Sequence, residues 1–196
     1  MDARKGNIYE ILNGNKQFII PVYQRYYSWD VEQCKRLWND IVDMQKKGKT
    51  GHFVGSIVNM AEQAMPTGVQ KYMIIDGQQR MTTLSLLLLA LRDYALHNPD
   101  DKTINARRID NMLLKNEYES GDERYKLLLT ETDRDILIYL LHPSAPSFPD
   151  NEDRWYTYPA YNYGYVSHLL CEQPDDCRGL RPSCSYVKMQ ALPYRF

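Results

Sequence analysis

Four polar side chains follow directly on an apolar run in the middle of the chain, at a corner that could bind an anion. The run at positions 72–75 is bulky, β-branched or aromatic, which is typical of a strand. Gly77 then predicts a sharp turn, because glycine tolerates a positive φ. A leucine-rich helix is expected from Thr82 to His97. The polar residues packed into this strand-to-helix corner are Asp76, Gln78, Gln79 and Arg80.

This corner combines the start of a helix with a cation. The first N–H groups of a helix have no partner within it, and the helix dipole is positive there. Phosphate groups bind readily at such a place, and Arg80 with the hydroxyls of Thr82 and Thr83 would reinforce the binding. The alternative is an ordinary strand–turn–helix joint with a capping threonine. The residue types fit both interpretations.

A second polar group lies among the aromatic residues at positions 21–29. In the structural interpretation the rings belong to the core, and Arg25 extends its guanidinium to solvent. In the functional interpretation Gln24 and Arg25 contact an anion or the edge of a base, and a neighbouring tyrosine stacks on it. Both interpretations are left open.

Composition excludes several classes of protein. The chain has 196 residues with a net charge of −1, so it has no overall basic field for non-specific DNA binding. Its four cysteines and four histidines have no spacing typical of a metal site. The N-terminus has no apolar signal segment, and the apolar stretch 81–91 is about half of the ~20 residues that a membrane span needs. We therefore expect a cytoplasmic protein without a membrane partner.

Local patterns predict the other elements. Asn7 and Glu10 form a capping box for a short helix, and Asp30 with Gln33 begins a long amphipathic one. Gly55, inside an expected strand, indicates a close approach of the backbone to another group. The expected helices are 7–13, 30–48, 82–97, 103–118, 132–141 and 155–170, the strands are 18–20, 52–60 and 71–75, the loops are 61–69 and 142–153, and the apolar run 124–130 is left unassigned.

Three sequence phrases occur in a characteristic order. They are Ile20-Pro21-x-Tyr23-Gln24-Arg25-x-Tyr27-x-Trp29, His52-Phe53-x-Gly55-Ser56-Ile57 and Ile75-Asp76-Gly77-Gln78-Gln79-Arg80-x-Thr82-Thr83-Leu84. Together they resemble the N-terminal domain of the GmrSD-type restriction endonucleases, a large family of phage-defence proteins. The resemblance covers about residues 7–170.

The resemblance implies a fold and a division of the chain. The implied fold class is α+β, with a ParB-like nucleotide-binding domain built on a small mixed sheet and followed by an all-helical region. The nucleotide-binding domain would span residues 1–97, and a partial helical domain would span 98–171. Residues 172–196 have no periodicity of either kind and are expected to form an irregular tail.

The implied function is NTP binding and hydrolysis within a modification-dependent, type IV-like restriction system. The cofactors would be Mg²⁺ and one of GTP, CTP, UTP or ATP. Asp76 would hold the Mg²⁺ or orient the attacking water, and the individual roles of the polar residues stay unassigned. The implied catalytic residues are Asp76, Gln78, Gln79 and Arg80, and the implied nucleotide-binding residues are Tyr23, Gln24, Arg25, Gly55, Ser56, Gly77, Arg80, Thr82 and Thr83.

The chain also departs from the family. The histidines are too scattered for the His-Asn-His nuclease that full-length members carry, so we expect a nuclease domain or subunit as partner. Modified foreign DNA would be contacted directly or through that partner, and homo-oligomerisation is left open. The change in character after about residue 176 suggests a frameshift or truncation. The alternatives are a nucleotide- or DNA-binding module without catalysis and an inactive truncated fragment.

Overall fold

The centre of the molecule is a small mixed sheet of four strands in the order β2-β3-β1-β4. The structure is a computed structural model that describes residues 6–49, 51–63, 68–142 and 158–170. The strands are β1 (Lys16–Ile19), β2 (Val58–Ala61), β3 (Gln70–Asp76) and β4 (Leu127–Leu128). The chain is therefore a mixed α/β protein, and it contains the small mixed sheet that was expected.

Three of the four strands run in the same direction. β1 pairs in parallel with β3 on one side and with β4 on the other, whereas β2 pairs antiparallel with β3. The carboxyl ends of the parallel strands, at Ile19, Asp76 and Leu128, therefore meet at one edge of the sheet. Ligands of open sheets with parallel strands bind in the crevice outside this edge.

Helices cover the sheet, and α3 lies at the centre of the core. Leu86 and Leu89 on α3 are fully buried, and α3 packs against α6. The helices are α1 (Ile8–Leu12), α2 (Val31–Lys46), α3 (Gln78–His97), α4 (Ala106–Ile109), α5 (Glu131–Leu141) and α6 (Tyr158–Leu170). A π-helical turn at Asp110–Leu114 and a 3₁₀ turn at Gly121–Arg124 complete the regular structure.

The local patterns predicted several elements correctly. Asn7 and Glu10 form the expected capping box of α1, and Asp30 with Gln33 forms that of α2. The apolar runs at 18–20 and 71–75 are strands, with ends within two residues of the prediction for β1 and within one for β3. In these segments the local signal and the tertiary packing favour the same conformation.

Two predictions around the polar corner are wrong in their boundaries. The expected strand at 52–60 is regular only in β2, because Gly55 has a φ of +104° that breaks the extended backbone. The helix expected to begin at Thr82 begins at Gln78, since Gly77, with a φ of +91°, lets it start directly after β3. The polar residues therefore form the first turn of α3, and no threonine caps it.

The region after residue 97 also differs from the expectation. The helix predicted at 103–118 is limited to α4 and the π-helical turn, which ends with a bond from Lys115 N–H to the Asp110 carbonyl. The region expected to be all helical contributes β4, because the run 124–130 completes the sheet beside β1. Helix α5 begins after Thr130, two residues before the predicted cap.

Some predictions fall on residues that the structure does not describe. They are the loop 143–153, the start of the last helix at 155–157, part of the loop 61–69, and the tail 172–196. The domain division at residues 97 and 171 stays a prediction. In the described part of the chain, no helix combines the length and the apolar character required to cross a membrane.

Candidate functional site

An open cleft of about 630 Å³ lies at the carboxyl edge of the sheet, where β3 meets α3. It is formed by the loop after β1, the segment before β2 and the first turn of α3. Its lining residues are Gln24, Arg25, Trp29, Val54, Asp76, Gly77, Gln78, Gln79 and Arg80. The structure thus brings together residues from all three sequence phrases.

Gly77 allows the first turn of α3 to reach the cleft. It is buried, and a Cβ atom at this position would lie 3.0 Å from the Ser56 carbonyl oxygen and 3.1 Å from the Ile57 Cα. The positive φ and this close backbone contact both require glycine. As a result the free N–H groups at the N-terminus of α3 open onto the cleft, which favours an anion there.

Arg80 projects from the same turn and packs against the segment before β2. A Cβ atom built on Gly55 would overlap the Arg80 guanidinium, so the guanidinium occupies space that only glycine leaves free. Its Nη2 lies 3.4 Å from Asp76 Oδ2, and the Asp76 side chain is 65% exposed. Such an exposed ion pair contributes little to stability, so Arg80 can exchange Asp76 for a ligand at low cost.

The loop after β1 supplies a second cation. Gln24 fixes this loop to the end of β3 by donating from Nε2 to the Ile75 carbonyl, 3.1 Å away. Arg25 is exposed, and among the described residues nothing hydrogen-bonds or pairs with its guanidinium. In the part of the chain that the structure describes, the cleft therefore has two guanidinium groups and the positive end of a helix, against the single carboxylate of Asp76.

Gln79 holds the rest of this loop in place. Its Oε1 accepts from the N–H groups of Ser28 and Trp29 at 2.8 and 3.2 Å. Its Nε2 donates to the Tyr26 carbonyl at 3.0 Å. The carboxamide thus replaces the hydrogen bonds that a strand partner would give, and it positions the Trp29 side chain at the cleft.

Beneath the loop, Tyr27 connects it to three other elements. Its hydroxyl lies 2.8 Å from Thr83 Oγ1 and accepts from Asn162 Nδ2 at 2.9 Å. Its N–H donates to Asp133 Oδ2 at 2.9 Å. Burial raises the pKa of Tyr27, so the hydroxyl stays neutral, and burial also raises the pKa of Asp133. The loop after β1 is therefore anchored to α3, α5 and α6.

Several residues expected in the site do not line the cleft. Thr82 and Thr83 are buried, and their hydroxyls donate to the Gln78 and Gln79 carbonyls one turn earlier. Tyr23 is 73% exposed on the outer face of the loop. Gly55 and Ser56 lie behind Arg80 and Gly77 and contact the cleft only through them.

Sequence reasoning missed three residues near the cleft. Trp29 and Val54 line it, and both belong to the recognised phrases, so their neighbourhood was the available signal. Asp133 supports the loop from α5, more than 50 residues along the chain from the polar corner. Nothing local distinguishes Asp133 from an acidic residue placed in the first turn of a helix.

The family model described as the GmrSD restriction endonuclease, N-terminal domain, matches residues 8–174. No curated protein matches the chain.

Proposed function

The chain belongs to the family of GmrSD restriction endonuclease N-terminal domains, and on this basis we propose that its cleft binds and hydrolyses a nucleoside triphosphate. Family membership supports a module of a restriction system. The finer proposal is a type IV-like system directed against modified DNA, with a ParB-like nucleotide-binding fold and a cytoplasmic location.

The observation that carries the proposal is the charge of the cleft. Arg25, Arg80 and the N-terminus of α3 face one space, and among the described residues Asp76 is the only carboxylate that lines it. A triphosphate is the common biological ligand with enough negative charge for two guanidinium groups and a helix N-terminus. The volume of about 630 Å³ is within the range of small-molecule sites.

Trp29 supports a base or sugar as the other half of the ligand. Its ring lines the cleft, and its backbone is held on both sides, by Gln79 at the N–H and by Asn162 Nδ2 at the carbonyl. Stacking on an aromatic ring tolerates every base. The proposal therefore includes GTP, CTP, UTP and ATP.

The residues present fit Mg²⁺ held jointly with the substrate. Among the described residues no three acidic, histidine or cysteine side chains lie close enough together to hold a metal by themselves. Mg²⁺ is commonly bound by one or two carboxylates and the phosphates of a nucleotide, and Asp76 is such a carboxylate. The ion would neutralise charge on the phosphate oxygens. Arg25 and Arg80 would bind the remaining phosphate oxygens, and the backbone N–H groups of α3 would stabilise the charge that develops during hydrolysis.

A second function, nucleotide binding without hydrolysis, is favoured by one feature. Hydrolysis needs a group that orients water, and the Gln79 carboxamide is already committed to the loop. The Oε1 atom of Gln78 is buried below the cleft. Of the carboxylate and carboxamide side chains assigned to catalysis, Asp76 remains for this role, and it is paired with Arg80.

The DNA-cleaving step would belong to a His-Asn-His nuclease domain or subunit that acts on modified foreign DNA, and we propose this as the partner. Three described histidines are separated in the fold. His52 is near Asp40, His97 bonds the Asp93 carbonyl, and His142 bonds the Tyr125 hydroxyl. None of these three is arranged with another as a nuclease centre.

Phosphate release from each of the four NTPs with Mg²⁺ tests the proposal. We expect turnover with at least one of them, and loss of this turnover in both Arg80→Ala and Asp76→Ala. Arg36→Ala on the exposed face of α2 and Asp100→Ala in the loop after α3 are matched controls that should behave as the wild type.

Thermal unfolding separates the two functions. A nucleotide at one hundred times its Kd should stabilise the protein by about 2.7 kcal/mol. Stabilisation without phosphate release, lost in Arg80→Ala, would indicate the binding module. If no nucleotide stabilises the protein and no phosphate is released, both functions are contradicted.

A further inference from the structure

A second, much smaller space lies beneath the cleft, on the inner side of the first turn of α3. This chamber has a volume of about 10 Å³ and shares Arg25, Gln78 and Gln79 with the cleft. Its other walls come from the ends of β1 and β4 and from the start of α5. The chamber and the cleft are therefore the two sides of one polar partition.

Gln78 presents an unsatisfied acceptor inside this partition. Its side chain is only 7% exposed, and its Oε1 has no hydrogen-bond partner among the described residues. A buried acceptor without a donor is costly, and nearly all such groups in folded proteins are satisfied by protein or by ordered water. A donor must therefore be supplied from the chamber.

Asp133 lines the same chamber from α5. It is 5% exposed, and one of its oxygens accepts from the Tyr27 N–H. Among the described residues no cation is within ion-pair distance of it, so this buried carboxyl has fewer donors than it can accept. The chamber thus has two acceptors: Gln78 Oε1, which has no donor among the described residues, and the Asp133 carboxyl, which can accept a further hydrogen.

One water molecule can donate to both acceptors. A space of roughly 10–15 Å³ holds a single water, and a water molecule has two hydrogens to donate. We infer that the chamber is a one-water site in which the water donates to Gln78 Oε1 and to Asp133, and that Asp133 is thereby a positioning residue for Gln78. The oxygen of the water is free to accept from Arg25.

This arrangement fixes the direction of the Gln78 carboxamide. With Oε1 held in the chamber, the Nε2 amino group is the part of the side chain left for the cleft. Gln78 would then donate to a phosphate oxygen instead of accepting from the attacking water. This last role rests on the proposed function, whereas the water site does not.

The first test is a crystal structure of the wild-type protein at a resolution that shows ordered water. We expect one water in the chamber, within about 3.2 Å of both Gln78 Oε1 and an Asp133 oxygen. A dry chamber, or a water that contacts only one of them, overturns the inference.

The second test is Asp133→Leu, which keeps the approximate size of the side chain and removes the acceptor. We expect kcat for NTP hydrolysis to fall by about tenfold, because one oriented donor is lost from the transition state. KM should rise as well, because the loop that carries Arg25 loses the bond from the Tyr27 N–H to Asp133. The matched control is Asp135→Leu, on the same helix but exposed and outside the chamber. If the water is present in the wild type but Asp133→Leu hydrolyses NTP as fast as the wild type, the positioning role is overturned.

The two proposals fail in distinguishable ways. If the wild type hydrolyses no nucleotide, the proposed function fails, and the position of the Gln78 side chain in crystals of Asp133→Leu decides the inference. A displaced side chain supports it and an unchanged one overturns it. If Asp133→Leu does not fold, the inference is decided by whether the water in wild-type crystals contacts both Gln78 Oε1 and Asp133.

Discussion

The guanidinium of Arg80 occupies the place where any residue other than glycine at position 55 would have its Cβ atom. That atom would lie 3.1 Å from Arg80 Cζ and even closer to Nη1. Gly55 also has a φ of +104°, which side chains strongly disfavour. The segment before β2 and the first turn of α3 are therefore fitted to each other through these two residues.

Gly55→Ala should displace Arg80 from the cleft. The added methyl group and the positive φ together should cost about 1–3 kcal/mol of stability, and nucleotide affinity should fall by about tenfold or more. Calorimetric titration with the preferred nucleotide measures the affinity. Gly51→Ala is the control, because a Cβ atom there meets nothing within 4 Å. Equal affinities of the two variants would show that Arg80 does not depend on this contact.

Gln79→Glu should release the loop after β1. A carboxylate still accepts from Ser28 and Trp29, but it cannot donate to the Tyr26 carbonyl and repels it. We expect a loss of about 1–3 kcal/mol in the free energy of unfolding, measured by urea denaturation. Trp29 fluorescence in the folded protein should change as the loop moves. The exposed Gln45→Glu on α2 should leave both quantities unchanged, and a stable Gln79→Glu would refute the clamp.

Arg92→Leu should destabilise the protein strongly. Arg92 is 1% exposed and bonds Asp93 at 2.6 Å, Asp110 at 3.0 Å and the carbonyls of Leu140 and Leu141. Its removal leaves the buried Asp93 carboxylate without its cation, which costs about 3–5 kcal/mol, whereas Asp110 keeps Lys115 at 2.7 Å. Urea denaturation measures the loss. Arg107→Leu on α4, where the side chain is exposed, is the control. A loss below about 1 kcal/mol would contradict the role given to this cluster.

Lys126 should make stability depend on pH above neutrality. Burial lowers the pKa of its ammonium group to about 8, and Lys16 adds to this effect. Between that value and the unfolded pKa of about 10.4, the unfolded chain binds a proton that the folded chain has released. The free energy of unfolding therefore rises with pH across this window, by about 1–3 kcal/mol from this group.

The comparison with Lys126→Met isolates that contribution, because all other titratable groups are common to both proteins. The free energy of unfolding of the wild type minus that of the variant, measured by urea denaturation, should become more positive from pH 8 to pH 10. The exposed Lys35→Met should show no such trend. A difference that is constant over this range would mean that Lys126 keeps its ordinary pKa.

Sequence patterns predicted those elements whose signals are local. The spacing of Cys34 and Leu37 with the Asp30 and Gln33 cap is sufficient to define α2, because burial and capping favour the same helix. The same holds for β3, where a continuous apolar run ends at a glycine turn. In each case every residue needed for the prediction lies within one element.

The segment 52–57 and strand β4 could not be predicted in this way. His52 to Ile57 contains residues suited to a strand, but Gly55 turns the backbone around a side chain of α3. β4 has two residues, and its partner β1 lies more than one hundred positions earlier, with Phe18 opposite Leu127. Both depend on tertiary contacts for which neither segment has a sequence signal.

The residues of the candidate site divide in the same way, into those that local patterns indicate and those that only the tertiary fold places. Gln24, Arg25, Asp76 and Arg80 line one cleft, and each of them belongs to one of the phrases quoted from the sequence. Thr82 and Thr83 are turned inward, because α3 begins four residues earlier than expected and their hydroxyls bond its own carbonyls. Asp133 reaches the loop after β1 only through the fold, so no pattern around it could reveal the contact.

The pairing of β1 with β4 determines the order in which the molecule can be completed during synthesis. Phe18 and Ile20 donate their N–H groups to the carbonyls of Lys126 and Leu128. These hydrogen bonds of β1 can therefore form only after a segment that leaves the ribosome much later has been synthesised. A fragment ending at residue 97 would leave β1 as an edge strand with unpaired backbone groups, which favours aggregation. Such distant pairing also slows folding. The sheet behind the cleft is thus completed by a strand that contributes no side chain to the lining of the cleft.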